Sequence, residues 1–250
     1  MWGWSYYDSD YGIIIPGDHV TPWGTEVTAV VISDGVTSIG SCAFYYCSYL
    51  TSITIPAGVT YIGHDAFYGC SSLTSITIPN GVTSIDYDAF YGCSGLTSIT
   101  IPESVTSLAL MYTFAGCSSL TSIDVNENNG YYASVDGALY DKTLQTLLSV
   151  PAGKQAFDVP NGVTGISDFA FYSCSRLTSI TIPSSVTRIE SSTFYGCSSL
   201  ARITIPASVT YIDDFDTFEN CSYNLTFLCV KGSYAERYAN SHNIPVSYIQ

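Results

Sequence analysis

A periodicity of 23 residues constrains this chain more than any other feature of its sequence. Each copy opens with the motif Cys-Ser-x-Leu. The motif begins at Cys47, Cys70, Cys93, Cys117, Cys174 and Cys197, and a stretched form begins at Cys221. Successive cysteines are 23, 23, 24, 57, 23 and 24 residues apart. A unit this short cannot bury its own apolar face, whereas a stack of such units can, so the spacing predicts a solenoid.

Within one repeat, apolar and polar residues alternate. Ile76 and Ile78 alternate with Ser75 and Thr77, the period-two pattern of a strand with one buried face and one solvent face. Pro79 has no N–H to donate to a sheet, so it ends the strand. The sequence therefore predicts one row of strands, with isoleucines pointing inward and hydroxyl side chains pointing outward.

The rest of the repeat predicts a return to the next coil. Val82 and Ile85 belong to a second, shorter extended segment. Phe90 is expected to point inward, and Ala89 is small enough to let neighbouring coils approach closely.

The full motif, Cys-x-x-Leu-x-x-Ile-x-Ile-Pro-x-x-Val-x-x-Ile-x-x-x-Ala-Phe, resembles the BspA-like, or Treponema pallidum-type, leucine-rich repeat over roughly residues 27 to 230. The resemblance implies the α/β leucine-rich-repeat class in a strand-dominated form. We expect a right-handed solenoid of about nine coils, with a curved parallel sheet, little α-helix and a short C-terminal capping helix. The resemblance also implies adhesion or partner binding outside the cell, without implying a particular ligand.

Three regions are predicted: an N-terminal lead-in at 1–26 that covers the first coil, a solenoid at 27–231, and a C-terminal cap at 232–250. Ser233 is the expected N-cap of the capping helix. An irregular island at 124–158 interrupts the solenoid.

Within the island, we expect a projecting hairpin or loop over 126–140, with turns at Asn129-Gly130 and Asp136-Gly137. Leu148 to Pro151 and Phe157 to Pro160 are expected to keep the register of the Ile-x-Ile-Pro strand.

Charge is sparse and unevenly distributed. Only 11% of the residues are charged; residues 1–141 hold 13 acidic and no basic side chains, and residues 142–250 hold 8 acidic and 7 basic ones. Nucleic acid is excluded as a partner because phosphate binding depends on clustered Lys and Arg. A basic partner or divalent cations would be attracted, but the preferred interpretation is that the acidity only keeps an extracellular protein soluble.

Membrane insertion is not expected, because no stretch approaches 18 consecutive apolar residues. The first residues, Met1 to Asp8, lack the basic and apolar regions of a signal peptide. On the resemblance, we expect a fragment of an extracellular or cell-surface protein, present as a monomer.

Seven of the nine cysteines share one repeat position and are expected to lie about 5 Å apart from coil to coil. Disulfides and a metal array are possible interpretations of such a row; buried thiols that pack as small apolar groups are the preferred one. Cys42 and Cys229 lie outside the row, as a pair or as free thiols. His64 occupies the position of Tyr87 one coil later and is interpreted as an exposed filler.

No cofactor, metal or catalytic residue is predicted. Asp124 to Gly130 approaches the calcium-loop pattern, but Gly comes one residue late and Val135 stands where the pattern requires Glu. We interpret this segment as a hydrogen-bonded turn. No Ser/His/Asp or Cys/His set converges in the sequence, so an enzyme is not expected.

The candidate binding residues are the outward positions of the strand row and two island tyrosines. They are Ser52, Thr54, Ser75, Thr77, Ser98, Thr100, Ser122, Asp124, Ser179, Thr181, Arg202, Thr204, Tyr131 and Tyr132. A second row of tyrosines recurs on the return bend at Tyr45, Tyr68, Tyr91, Tyr172 and Tyr195. Hydroxyl and tyrosine side chains suit adaptable recognition of a protein or glycan on another cell or in the matrix. For any single residue of either row, a purely structural role is the preferred interpretation.

Two functions follow from these patterns. The first is a non-catalytic binding module that uses the concave face and the island. The second is a structural spacer in a larger surface protein, with no selective ligand.

Overall fold

The computed structural model describes residues 26–249 and, before them, the backbone of two short strands. It divides into two compact units, Met1–Tyr131 and Tyr132–Gln250. Most of the predicted lead-in at 1–26, including its three tryptophans, lies outside the described residues. The predicted three-region division stays a prediction.

The first unit consists of short strands in coils that stack in parallel. Its strands are β1 (Ser5–Tyr7), β2 (Ile14–Pro16), β3 (Ala29–Val31), β4 (Ser38–Ile39), β5 (Ser52–Thr54), β6 (Tyr61–Ile62), β7 (Ser84–Ile85), β8 (Ser98–Ile101), β9 (Ser107–Leu108) and β10 (Ser122–Val125). β1 and β2 pair antiparallel, whereas all other pairs in this unit are parallel. One row is a continuous four-stranded sheet, β4–β6–β7–β9, whereas the other consists of two separate pairs, β3–β5 and β8–β10. The predicted strand at Ser75 to Ile78 is wrong: no strand forms there, although Ile76 and Ile78 are buried.

The repeat length sets the register of these rows. Ile62 pairs with Ile85 and Ile85 with Leu108, so each step of one repeat moves one rung along the sheet. Identical positions therefore lie above one another in neighbouring coils. Each coil completes the hydrogen bonding of the previous one, as expected for a repeat that is not stable alone.

The core of the first unit is built from the predicted inward positions. Ile76 and Ile78 are 8% and 6% exposed, and the phenylalanines of successive coils are buried. The rings of Phe67 and Phe90 stack at 5.5 Å between centroids, and those of Phe90 and Phe114 at 6.0 Å. Burying an isoleucine or phenylalanine side chain contributes about 1.5–3 kcal/mol, so these rows provide the main stabilisation of the unit.

The second unit begins with an antiparallel section and continues in parallel coils. Its elements are β11 (Tyr132–Val135), β12 (Ala138–Asp141), β13 (Thr146–Ser149), β14 (Gly165–Ile166), β15 (Ser179–Thr181), β16 (Arg188–Ile189), β17 (Arg202–Ile205), β18 (Tyr211–Ile212), β19 (Thr226–Cys229), α1 (Tyr234–Ser241) and β20 (Val246–Tyr248). The sheet orders are β11–β12–β13–β14, β15–β17–β19–β20 and β16–β18.

The hairpin between β11 and β12 uses the predicted Asp136-Gly137 turn. Val135 pairs with Ala138, so the loop has two residues, and both have positive φ, 49° at Asp136 and 67° at Gly137. Positive φ at both central positions is the geometry of a type I′ turn, whose twist matches that of the flanking strands.

The expected register of Leu148 to Pro151 is wrong, whereas that of Phe157 to Pro160 is kept: Phe157 and Val159 are buried on either side of the exposed Asp158, and the Thr178 N–H donates to the Gln155 carbonyl one coil earlier. In β13, Leu147 is the fully buried residue, and it pairs with Ile166 in the second strand row rather than continuing the first. The preceding hairpin explains the difference. β12 pairs antiparallel with β13, and the pairing register shifts between Leu139 and Tyr140. An alternating apolar pattern alone does not show which row a strand joins.

The predicted capping helix is confirmed as α1. Ser233 precedes it with extended backbone, and its Oγ accepts a hydrogen bond from the Glu236 N–H at 3.2 Å. Ala235, Tyr238 and Ala239 are its buried residues. Within the described residues α1 is the one α-helix, and each unit is a strand-dominated solenoid, so the predicted fold class is confirmed.

Candidate functional site

The outward strand row of the first unit is exposed, as predicted. Ser52, Thr54, Ser75, Thr77, Ser98 and Thr100 are all solvent-exposed, while the isoleucines between them point inward. At the end of the row, Ser98 pairs with Ser122 and Thr100 with Asp124. Asp124 accepts a hydrogen bond from the Ser122 hydroxyl at 2.6 Å, so it is the carboxylate at this end of the row.

A second set of hydroxyl groups in the same coils forms hydrogen bonds that stabilise the fold. Each threonine of this set donates to the backbone carbonyl one coil earlier: Thr51 to Thr28, Thr60 to Thr37, Thr83 to Thr60, Thr97 to Thr74, Thr106 to Thr83 and Thr121 to Thr97. The six outward hydroxyl groups from Ser52 to Thr100 have no hydrogen-bond partner among the described residues. The structure thus separates structural hydroxyls from unpaired ones, a distinction that exposure alone does not reveal.

In the second unit the outward row is shorter and carries a positive charge. Ser179 pairs with Arg202, and Thr181 with Thr204. Arg202 is exposed, and its other neighbour in the sheet is Thr226. A hydroxyl row next to a guanidinium differs chemically from the uncharged row of the first unit.

The two island tyrosines differ in environment. Tyr131 is 57% exposed, and its backbone N–H donates to the Asn129 side chain at 2.8 Å. Tyr132 begins β11 and is half-buried. Tyr131 is therefore the one of this pair whose ring offers most surface to a ligand.

The near-match to a calcium loop is a hydrogen-bonded turn. The Asn126 side chain accepts from the Asn128 N–H at 3.0 Å. Asn129 is fully buried, and its amide donates to the carbonyls of Pro102 and Val105 at 2.8 and 2.9 Å. Its side chain is used to close a gap in the coil, which the sequence pattern did not indicate.

The return-bend tyrosines form columns of stacked rings. Tyr68 and Tyr91 lie 4.5 Å apart between ring centroids and 8° from parallel. Tyr172 and Tyr195 stack at 4.8 Å. Because neighbouring rings of this row stack on one another, the row mainly holds adjacent coils together.

The cysteines of the repeat position share one interaction. Each thiol from Cys70 onward donates to a backbone carbonyl of an earlier coil, at 3.1–3.5 Å; the donors are Cys70, Cys93, Cys117, Cys174, Cys197 and Cys221. Burial raises the pKa of the Cys117 and Cys174 thiols to about 12. All nine cysteines are free thiols, including Cys42 and Cys229. The 5 Å spacing of the sulfur atoms stays a prediction.

One polar cluster in the first unit brings together residues that the sequence did not link. The ligand atoms of Cys42, His64 and Asp65 lie within 4.8 Å of one another. The His64 Nδ1 is 3.1 Å from the Asp65 carboxylate, and the imidazole stacks on Tyr87 at 5.0 Å. Burial, and then the charge of Asp65, raises the pKa of the Cys42 thiol to about 11. The signal in the sequence is that Cys42 and Asp65 hold the same repeat position in adjacent coils.

A second polar cluster lies in the second unit. The Arg188 guanidinium lies 4.0 Å from the centre of the Tyr211 ring and donates to Glu190 at 2.7 Å. The Tyr211 hydroxyl donates to Asp213 at 2.7 Å, and this bond lowers the pKa of the Asp213 carboxyl. Every charge in this cluster has a partner, so it is built for structure rather than for a ligand.

Within the described residues, no helix combines the length and apolar character needed to cross a bilayer. Among curated protein sequences, none matches the chain.

Solved structures share the fold. A leucine-rich repeat protein from Eubacterium ventriosum is 28% identical with a TM-score of 0.66; the match covers 82% of this chain, which spans 61% of that protein. A leucine rich cell surface protein from Faecalibacterium prausnitzii is 24% identical, with a TM-score of 0.53 and coverage of 96% and 98%. The pneumococcal vaccine antigen PcpA is 18% identical, with a TM-score of 0.54 and coverage of 98% and 82%.

The family comparison agrees with the motif that organises the coils. The model of the BspA type leucine rich repeat region matches residues 23–144 and 153–242, in six copies. These ranges contain the inward isoleucines, the stacked phenylalanines and the buried thiols described above. The chain belongs to the BspA-type leucine-rich-repeat family.

Proposed function

We propose that this chain is a non-catalytic binding module of a surface or secreted protein. Its ligand is a protein or glycan that contacts the outward hydroxyl row of the first unit. The observation that carries the proposal is the set of six exposed hydroxyl groups from Ser52 to Thr100 that have no hydrogen-bond partner among the described residues.

The surrounding chemistry supports this choice of face. Serine and threonine hydroxyls both donate and accept hydrogen bonds, so a row of them adapts to amide or sugar groups. Residues 26–131 contain acidic side chains and no Lys or Arg, which favours a partner with a basic surface. Tyr131, with 57% of its surface exposed, adds an aromatic contact.

The location outside the cell is part of the proposal. One structural relative, from Faecalibacterium prausnitzii, is described as a cell surface protein. A face of neutral hydroxyls suits extracellular glycoproteins, which expose both amide and sugar groups. The competing hypothesis is a structural spacer, in which no face is selective.

The test measures binding to immobilised fibronectin, laminin, fibrinogen and mucin by surface plasmon resonance. The variant carries lysine at Ser75, Thr77, Ser98 and Thr100. We expect the wild type to bind at least one of these probes, and the variant to bind it at least about 10-fold more weakly, since positive charge introduced at the face that meets a basic partner opposes association.

A matched control changes charge in the same coils without touching the strand face. Asn80→Lys with Glu103→Lys alters two exposed turn residues and should leave binding almost unchanged. A Tyr131→Ser variant tests the tyrosine separately; deleting 126–140 is less informative because it removes the buried Asn129. Absence of binding to every probe, or equal loss in the turn control, would contradict the proposal and favour the spacer.

A further inference from the structure

Three unlike ligand groups meet in the first unit, at the first two coils. Cys42 offers a thiol, His64 an imidazole and Asp65 a carboxylate, and these atoms lie within 4.8 Å of one another. Ligand atoms bound to a tetrahedral zinc ion are about 3.3–3.8 Å apart, given zinc–ligand distances of about 2.0–2.3 Å. The Asp65 carboxylate and the His64 Nδ1 are already 3.1 Å apart. Side-chain movements of about 1 Å would complete the geometry.

The backbone beneath these side chains is firmly held. The Cys42 N–H donates to the His64 carbonyl at 2.9 Å, and the Asp65 N–H donates to the Tyr87 carbonyl at 3.2 Å. Cys42 and Asp65 have nearly the same positive φ, 57° and 56°, because they occupy the same position in adjacent coils. Equivalent positions in stacked coils project their side chains in parallel, which places a thiol beside a carboxylate.

The third group is fixed from the side. His64 stacks on the Tyr87 ring at 5.0 Å and 6° from parallel. Its side chain is 35% exposed and that of Asp65 is 22% exposed, whereas Cys42 is buried. The cluster is therefore reachable from solvent on one side and closed on the other, as a site with three protein ligands and one open position requires.

The local charge favours a cation. Asp88 occupies the equivalent position one coil further and interacts electrostatically with both Asp65 and His64. Residues 26–131 contain no Lys or Arg that could neutralise these carboxylates. A divalent ion would supply the missing positive charge.

The donor set identifies the class of ion. Calcium and magnesium take oxygen ligands, whereas thiolate and imidazole select zinc and related transition metals. Among the described residues, this is the one group of three Cys, His, Asp or Glu side chains close enough to hold a metal. The other exposed histidine–carboxylate contact, His242 with Asp214 at 3.5 Å, has no thiol in such a group.

We propose that Cys42, His64 and Asp65 form a binding site for a zinc-type divalent transition-metal ion, with the fourth position open to water or to a ligand from a partner. On binding, the Cys42 thiol gives its proton to solvent and coordinates as a thiolate. The ion joins the first coil to the second.

The test uses the whole chain and Co²⁺ as the probe, because cobalt gives a thiolate charge-transfer band when a cysteine coordinates it. We expect the band to saturate at one equivalent of Co²⁺ and to disappear when Zn²⁺ is added. Zinc should also raise the Tm, since an ion that binds only the folded state stabilises it.

Three variants locate the site. Cys42→Ser should remove the band; Ser192 holds the equivalent position at φ 52°, so serine is compatible with this backbone. His64→Tyr introduces the residue found at the same position one coil later. His64→Tyr and Asp65→Asn, made as separate variants, should each weaken the metal affinity by about 100-fold or more, a greater loss than that caused by removing an outer-shell partner. His242→Tyr and Cys93→Ser are matched controls that should titrate like the wild type.

Several results would overturn the proposal. They are absence of the band in the wild type, its persistence in Cys42→Ser, an equal loss in His242→Tyr, or displacement of cobalt by excess Ca²⁺, which indicates binding to carboxylates alone. If far-UV circular dichroism shows that Cys42→Ser does not fold, the His64→Tyr variant decides the question by the same titration.

Discussion

The two units share their inward rows but differ in their surfaces. In both, phenylalanines stack from coil to coil, as in Phe67–Phe90 at 5.5 Å and Phe171–Phe194 at 4.9 Å. The first unit, 1–131, has 11 acidic and no basic residues, whereas the second, 132–250, has 10 acidic and 7 basic ones. The same core is thus compatible with two very different charge patterns.

The difference shows what the fold requires. In the second unit, Lys154 pairs with Asp136 at 3.1 Å and Arg188 with Glu190 at 2.7 Å. In the first unit, the His64 Nδ1 lies 3.1 Å from the Asp65 carboxylate. Exposed ion pairs contribute only about 0–1 kcal/mol each, so apolar stacking and backbone hydrogen bonds hold both units. Surface charge is then free to serve binding.

The largest expected effect tests whether the two cores are equivalent. Phe90→Ala and Phe194→Ala each remove a fully buried ring and should each lower the free energy of unfolding by about 3–5 kcal/mol. Hydrogen exchange of amides in each unit measures the loss in the free energy of unfolding. A difference greater than about 2 kcal/mol between the two variants would mean that the units do not rely on the same row.

Thiol reactivity should distinguish the units next. Interaction with the neighbouring Cys197 thiol lowers the pKa of the half-buried Cys221 thiol, whereas burial raises the pKa of the Cys93 thiol well above its ordinary value. A lower pKa gives more of the reactive thiolate at pH 8. We expect iodoacetamide to modify Cys221 about 100-fold faster than Cys93 in the folded chain. Mass spectrometry of peptides measures both modification rates. Equal rates would contradict the expected difference in reactivity between Cys221 and Cys93.

An unpaired hydroxyl in the second unit should cost stability. Tyr140 is 1% exposed, and its hydroxyl has no hydrogen-bond partner among the described residues. Burial, with the charge of Asp136, raises its pKa to about 12. Removing a buried unpaired polar group should stabilise the fold, so Tyr140→Phe should raise the free energy of unfolding by about 1–2 kcal/mol. Urea denaturation measures it; a loss of stability would indicate that the hydroxyl is satisfied.

The smallest expected effect concerns salt. Raising NaCl from about 20 mM to about 500 mM screens repulsion between exposed charges. The first unit should gain about 0.5–1 kcal/mol and the second less, because only the first is one-signed. The exchange rates of the Thr83 and Thr210 amides, which bond equivalent carbonyls one coil earlier, report the two units. Equal gains would show that the charge difference has no energetic consequence.

Much of the fold could be predicted from the repeat. The alternation at Ile76 and Ile78 correctly indicated the buried face, because a strand has a side-chain period of two. Ser233 correctly indicated the start of α1. The register of Leu147 could not be predicted, since the hairpin before it sets the row that β13 joins.

The site was only partly predictable. The sequence indicated which hydroxyls face outward but not which are bonded: Thr51 and Thr54 are both exposed, and only the position of the previous coil's carbonyl separates them. His64 was interpreted as an exposed filler, yet it contacts Asp65 and Tyr87. Contacts between residues one repeat apart require the exact stacking of coils.

The most direct test of the two kinds of hydroxyl compares Thr51→Val with Thr54→Val, two exposed threonines of the same coil. The Thr51 hydroxyl donates to the Thr28 carbonyl at 2.9 Å, and that of Thr54 has no such partner. Urea denaturation should show a loss of about 0.5–1.5 kcal/mol for Thr51→Val and a change within about 0.5 kcal/mol for Thr54→Val. Equal losses, or a larger loss at Thr54, would show that the outward row also holds the fold together and is not free for a ligand.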